Sequence, residues 1–188
     1  MTLPPLTFIT SSENKYNEVV RLLGRPLSRA APPLDEIQEV ALAPVVAHKA
    51  HHAYARIHGP VLVEDTGLSF AAWNGLPGAL VKWFLSSLGT DGLCRLLRNE
   101  TNRAATATTM FGYYDGILFR AFSGSVDGII VEFPRGARGF GWDAMFQPQG
   151  SERTFAEMTP DEKDHFSMRR LALEQLRESG LLTSGQER

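Results

Sequence analysis

Val61, Leu62 and Val63 form an unbroken apolar run that stops at two adjacent carboxylates, Glu64 and Asp65. A run this short, followed by turn residues, reads as a buried strand. Thr66-Gly67 is expected to turn the chain. Gly75-Leu76-Pro77-Gly78 is expected to turn it again, before a helical segment carrying Lys82. The stretch from Gly59 to Leu85 is therefore the centre around which the rest must pack. Acids fixed at the end of a rigid strand can hold a hard cation such as Mg2+, with waters and substrate phosphates completing the shell. Adjacent acids also end strands in plain solvent, and from this stretch alone both readings stand.

Upstream, Leu6 to Ile9 reads as a first strand, and Thr10-Ser11-Ser12-Glu13-Asn14-Lys15 leads into a helix with Val19, Val20, Leu22 and Leu23 on its apolar side. Gly24 and Pro26 close that helix. Small hydroxyls between a strand and a helix start, with a lysine beside them, suit phosphate oxygens. Helix capping by Ser11 or Ser12 explains the same residues. The glycines of a P-loop are missing. Glu36 follows an irregular proline-rich segment, either as a surface acid or as a companion to Glu64 and Asp65. Ala43 to His58 reads as a helix. Its His48, His51 and His52, with His58 at the end, match no zinc spacing and are read as surface residues. Lys49 on this helix is either a solvated lysine or a contact for an anion.

Downstream, Asp91 is expected to cap a short helix ending at Leu97. Ala104 to Tyr114 is rich in threonine and aromatic residues and reads as a strand. Asp115-Gly116 is a two-residue hairpin signal, Ile117 to Asp127 the return strand, and Gly128 to Phe133 a further strand. Strands and helices alternating early, then a long hairpin, imply an α/β chain with an elongated central mixed sheet flanked by helices. Residues 1–188 are read as one domain. Within Gly139-Phe140-Gly141-Trp142-Asp143 the rings can stack on a flat ligand, and Asp143 can accept hydrogen bonds from ring N–H groups. Two core aromatics around a glycine turn would look the same. Thr159-Pro160-Asp161-Glu162 is a capping box with proline at the first helical position. That helix is expected to run to about Glu178, with Lys163 and Ser167 one turn apart.

The net charge of −2 provides no basic field for nucleic acid. The single cysteine, Cys94, excludes an intramolecular disulfide and fits a reducing compartment. No apolar run approaches the roughly 18 residues of a membrane span, and the N-terminus lacks the pattern of a signal peptide. A soluble cytoplasmic protein with no membrane or nucleic-acid partner is expected.

Three separated blocks, TSSENKYNEV, VEDTGLSFAAWNGLPGALVKWF and FGWDAMFQPQGSERTFAEMTPDEKDHFSMRR, together resemble the inosine triphosphate pyrophosphatase family over nearly the whole chain. The resemblance implies two lobes with an active-site cleft between them, usually in a homodimer. It implies cleavage of a nucleoside triphosphate between the α- and β-phosphates, with Mg2+ as cofactor and ITP, dITP and XTP as substrates. By similarity, Thr10, Ser11, Ser12 and Lys15 bind phosphates. Glu36 and Asp65 match the magnesium acids, with Glu64 grouped beside them. Asp65 matches the general base, and Lys15 and Glu64 join it as catalytic residues. Thr66, Lys49, Lys82 and Lys163 line the nucleotide site. Phe140, Gly141, Trp142, Asp143, Ser167, Met168 and Arg169 correspond to the base pocket.

Three positions depart from the family pattern. Ser12 and Asp164 stand where asparagine is usual, and Met168 replaces a histidine of the base pocket. A thioether cannot donate a hydrogen bond to a purine 6-oxo group. The hydrolytic residues are intact while the base-reading edge is altered. The alternatives are the same reaction on a different or specialised nucleotide, or a catalytically weak nucleotide-binding protein.

Overall fold

The computed structural model describes residues 5–182. Its elements are β1 (Thr7–Ile9), α1 (Glu13–Leu23), β2 (Ser28–Ala30), α2 (Leu42–Ile57), β3 (Val61–Phe70), β4 (Pro77–Gly78), α3 (Val81–Leu96), β5 (Ala104–Tyr114), β6 (Phe119–Ile130), β7 (Phe146–Pro148), α4 (Pro160–His165) and α5 (Met168–Glu178). The described strands form a seven-stranded mixed sheet in the order β2-β1-β3-β5-β6-β7, with β4 on β3. β1 pairs in parallel with β2 and β3, whereas β4 on β3 and β7 on β6 are antiparallel. The expected α/β architecture, a mixed sheet flanked by helices, is what forms.

The chain divides into two compact units. The first contains the described residues up to Asp65, then 109–124, then those from Arg169 onward. β1 and the start of β3, residues 61–63, are mostly buried, which is why they read as continuous apolar runs, whereas β2, Ser28–Ala30, lies in the segment read as irregular and is mostly exposed. Phe8 and Leu62 join Val19 and Leu23 of α1 and Ala172, Leu173 and Leu176 of α5 in one cluster. Ile9, Val61 and Val63 point the opposite way, into a second cluster with Val46, Ala50 and Ala53 of α2. The second unit spans 66–108 and 125–168. Leu68, Phe70, Ala105, Ala107 and Ile130 from its strands pack there with Leu93, Cys94, Phe146, Phe155 and Met168.

Six expectations change. β3 does not stop at the acids but continues to Phe70, placing Glu64 and Asp65 in mid-strand. Thr66-Gly67 stays extended because Gly67 lies flat against the β4 backbone, where a Cβ would come within 3.1 Å of the Gly78 carbonyl carbon. Ile117 belongs to the hairpin turn rather than to β6. Asp115 Oδ1 accepts from the Ile117 and Leu118 amides at 2.9 and 2.7 Å, an Asx-type closure of a longer turn. The strand anticipated from Gly128 is the end of β6, which runs unbroken to Ile130. Finally, the helix opening at Thr159 ends at His165, and α5 starts afresh at Met168. The α4 end is closed by the Phe166 amide, which reaches the Lys163 carbonyl at 3.0 Å. In α3, Gly89 adopts φ 65° and ψ 179°, so Asp91 lies inside the second helical run instead of capping it.

Candidate active site

In the first unit, β1 ends at Ile9 and α1 begins at Glu13, and the loop between them is tied to itself. Thr10 Oγ1 accepts from the Ser12 amide at 3.1 Å, and Ser12 Oγ accepts from the Lys15 amide at 3.3 Å. Ser12 is thus the N-cap of α1, so capping and a role near phosphate are compatible readings of one residue. Arg29 on β2 clamps the loop from outside. Its Nε donates to the Thr10 carbonyl at 3.1 Å, Nη2 to the Ser11 carbonyl at 3.1 Å and Nη1 to Glu13 at 2.7 Å.

The acids of β3 are reached from three other elements of the same unit. Lys15 Nζ lies 3.4 Å from Glu64 Oε2. Arg169 Nη2 donates to Glu64 Oε1 at 2.9 Å, and Nη1 donates to Glu18 Oε2. Arg169 is only 1 % exposed, a guanidinium taken out of water and compensated by carboxylates. Lys49 Nζ donates to the Glu64 carbonyl at 3.3 Å and to Glu36 Oε1 at 3.4 Å, fastening the Glu36 loop to the strand. Asp65 is half-buried.

Among the described residues, no group of three or more His, Cys, Asp or Glu side chains is placed to hold a metal ion. The donor chemistry still fits Mg2+, which takes one or two carboxylates and fills its shell with waters and phosphates. Glu36 and Asp65, with Glu64 beside them, are the carboxylates that would hold the ion; Glu64 also faces Arg169 and Lys15, and Glu36 faces Lys49.

In the second unit, Asp143 and Lys163 form a buried ion pair, Nζ to Oδ2, of 2.8 Å. The same Oδ2 accepts from the Phe140 amide at 2.8 Å. Gly139 has φ 74°, and a Cβ there would run into the Asp143 carboxylate, so this turn requires glycine. The Lys163 ammonium sits 5.0 Å from the Phe140 ring centre and 5.3 Å from that of Phe155, within cation–π range. Trp142 is buried against Phe146 and Phe155. Ser167 and Met168 are buried too, Met168 within the same apolar cluster. Lys82 is exposed on α3 with its ammonium 5.5 Å from the Trp83 ring centre, Gly141 is exposed and Thr66 half-buried on β3.

The structure thus gathers Lys15, Glu64 and Arg169, then Glu36 and Lys49, and separately Phe140, Asp143 and Lys163. Arg169, expected with the base pocket, has its guanidinium on Glu18 and Glu64. Glu18 and Arg29 were missed by sequence reasoning. A glutamate next to Val19 on the apolar side of α1 was the available signal for Glu18; nothing local marks Arg29.

A family profile described as the Ham1 family matches residues 6–179. Inosine triphosphate pyrophosphatase of Schizosaccharomyces pombe is 42% identical over 180 residues, covering 94% of this chain and 95% of its own. Inosine triphosphate pyrophosphatase 2 of Trypanosoma cruzi is 44% identical over 174 residues, covering 89% and 88%. Among solved structures, a HAM1 protein from Coxiella burnetii superimposes with a TM-score of 0.79 at 26% identity, covering 93% of this chain and 96% of that one.

Proposed function

The chain belongs to the Ham1 family and is a nucleoside triphosphate pyrophosphohydrolase, and we propose that its substrates are ITP, dITP and XTP. The observation that carries this reading is the meeting of Lys15, from the hydroxyl-rich start of α1, with Glu64 of β3, the neighbour of Asp65. A triphosphate carries close to four negative charges and repels a nucleophile. Lys15 and Lys49 offset that charge, and the loop from Thr10 to Ser12 offers hydroxyls to the phosphate oxygens. Bound Mg2+, held by Glu36 and Asp65, would neutralise further charge and improve pyrophosphate as a leaving group. Asp65 accepts a proton from the attacking water. The water oxygen bonds to the α-phosphorus, the bond to the bridging oxygen breaks, and pyrophosphate departs. The Asp143–Lys163 pair and the Phe140 ring supply the polar and flat contacts for a base.

Two further parts of the proposal are a homodimer and a cytoplasmic location. Trp83 and Leu88 of α3 remain about half exposed at 50% and 42%, apolar surface of the kind an interface covers. No helix among the described residues is long and apolar enough to cross a membrane.

Incubation with ITP, dITP, XTP, GTP and ATP, with and without Mg2+, followed by ion-exchange separation, tests the reading. Monophosphate plus pyrophosphate from the first three supports it. The buried Met168, which has no donor for a 6-oxo group, favours a second reading: the same reaction with a retuned base preference. Turnover of GTP or ATP alone would select that one. Tight binding without turnover would leave a nucleotide-binding protein.

A further inference from the structure

We infer that Glu18 is a positioning residue for this hydrolysis, acting on Lys15 through Arg169 and Glu64; the inference rests on the proposed function. Glu18 lies on α1 next to Val19, only 7% exposed. A carboxylate there is costly to bury unless compensated, and its compensation comes from Arg169 on α5. Four alternating charges follow in a line. Glu18 accepts from one arm of Arg169, the other arm donates to Glu64 Oε1 at 2.9 Å, and Glu64 Oε2 faces Lys15 Nζ at 3.4 Å. Lys15 and Glu18 are three residues apart on α1, so a single helix face carries both ends of the line.

The geometry explains why two carboxylates are needed. A guanidinium facing one carboxylate takes both of its oxygens in a fork. Glu18 occupies one arm of Arg169, so Glu64 meets the guanidinium through Oε1 and presents Oε2 to Lys15. Without the Glu18 carboxylate, Arg169 is drawn to fork onto Glu64, and Lys15 loses the contact that aims it. A well-packed apolar pair would fill the same volume without ionic groups. The line instead ends on a lysine whose side chain is 22% exposed and which is held against Glu64, the sequence neighbour of the proposed base Asp65.

The test is a kinetic double-mutant cycle with Glu18→Gln, Lys15→Met and the pair, assayed with ITP and Mg2+, with pyrophosphate affinity measured alongside by calorimetry. Glu18→Gln alone is expected to lower turnover on the order of 10- to 100-fold, as for other residues that orient a first-contact group. In the Lys15→Met background the same change is expected to cost less than about threefold, because the group it positions is gone. Glu18→Asp keeps the charge and is expected to recover most of the loss; if Glu18→Gln fails to fold, Glu18→Met, which fills the site with an apolar side chain, takes its place in the cycle. Equal proportional losses in both backgrounds would overturn the inference. A wild type that turns over no nucleotide, yet whose pyrophosphate affinity shows the same coupling, would sink the functional reading and keep the positioning role. An active wild type without coupling would do the reverse.

Discussion

Replacing Lys163 by methionine leaves the Asp143 carboxylate buried without its ammonium partner. The two side chains are 8% and 6% exposed and their charged atoms 2.8 Å apart, so water cannot substitute. Removing one partner of such a pair costs about 3–5 kcal/mol. Asp143 keeps the Phe140 amide at 2.8 Å, and a thioether packs acceptably beside Phe140 and Phe155, so the lower end applies, about 3 kcal/mol. For a chain of this size that lowers the melting temperature by about 6–12 °C. Adding Asp143→Asn removes the stranded charge, and the double variant is expected to regain about 1–2 kcal/mol over Lys163→Met alone. Urea unfolding of the four proteins, followed by tryptophan fluorescence, gives the coupling directly. Additive losses, or a Lys163→Met protein melting within about 2 °C of wild type, would refute the claim that this pair is a compensated buried charge.

Asp65→Asn is expected to lower turnover of ITP on the order of 10^2- to 10^4-fold with nucleotide affinity nearly unchanged, read by product release and calorimetry. The Cys94 thiol is buried and pushed up to about 11, chiefly by desolvation, so iodoacetamide at neutral pH should leave the native protein unlabelled and label it rapidly in urea. Glu162 is held down at about 2 by its hydrogen bonds from Arg153 and from the Thr159 amide. Its folded value lies below the ordinary 4.5, so its stabilisation is complete above that pH and fades as pH falls towards 2. The difference in urea midpoint between wild type and Arg153→Met should therefore shrink over that window; a constant difference would argue against the pairing.

The parts of the molecule that rest on local chemistry were legible in the sequence. The Ser12 cap, the closing Gly24, the capping box at Thr159 and the threonine-rich β5 all follow from neighbours within a few residues. What sequence missed depends on contacts made across the chain. Thr66-Gly67 looks like a turn until Gly78 is laid against it. The break at Phe166 leaves Met168 in the aromatic cluster and Arg169 between two glutamates, a division that helical periodicity does not show. Glu18 and Arg169 are separated by 151 residues, and no spacing rule connects them. For the site, Lys15 and the acid pair were anticipated together, whereas Arg29 and Glu18, which hold them, were not.

The segmented make-up of the first unit fixes an order of assembly during synthesis. Its core joins Phe8, Val19 and Leu62 to Ala172, Leu173 and Leu176, so it cannot close until α5 has left the ribosome. The second unit is complete once residue 168 has emerged. Domains commonly fold from the N-terminus as they are made. Here β1 and α1 are made well before α5, which completes the cluster they pack into, and their apolar faces stay without that cover until it arrives.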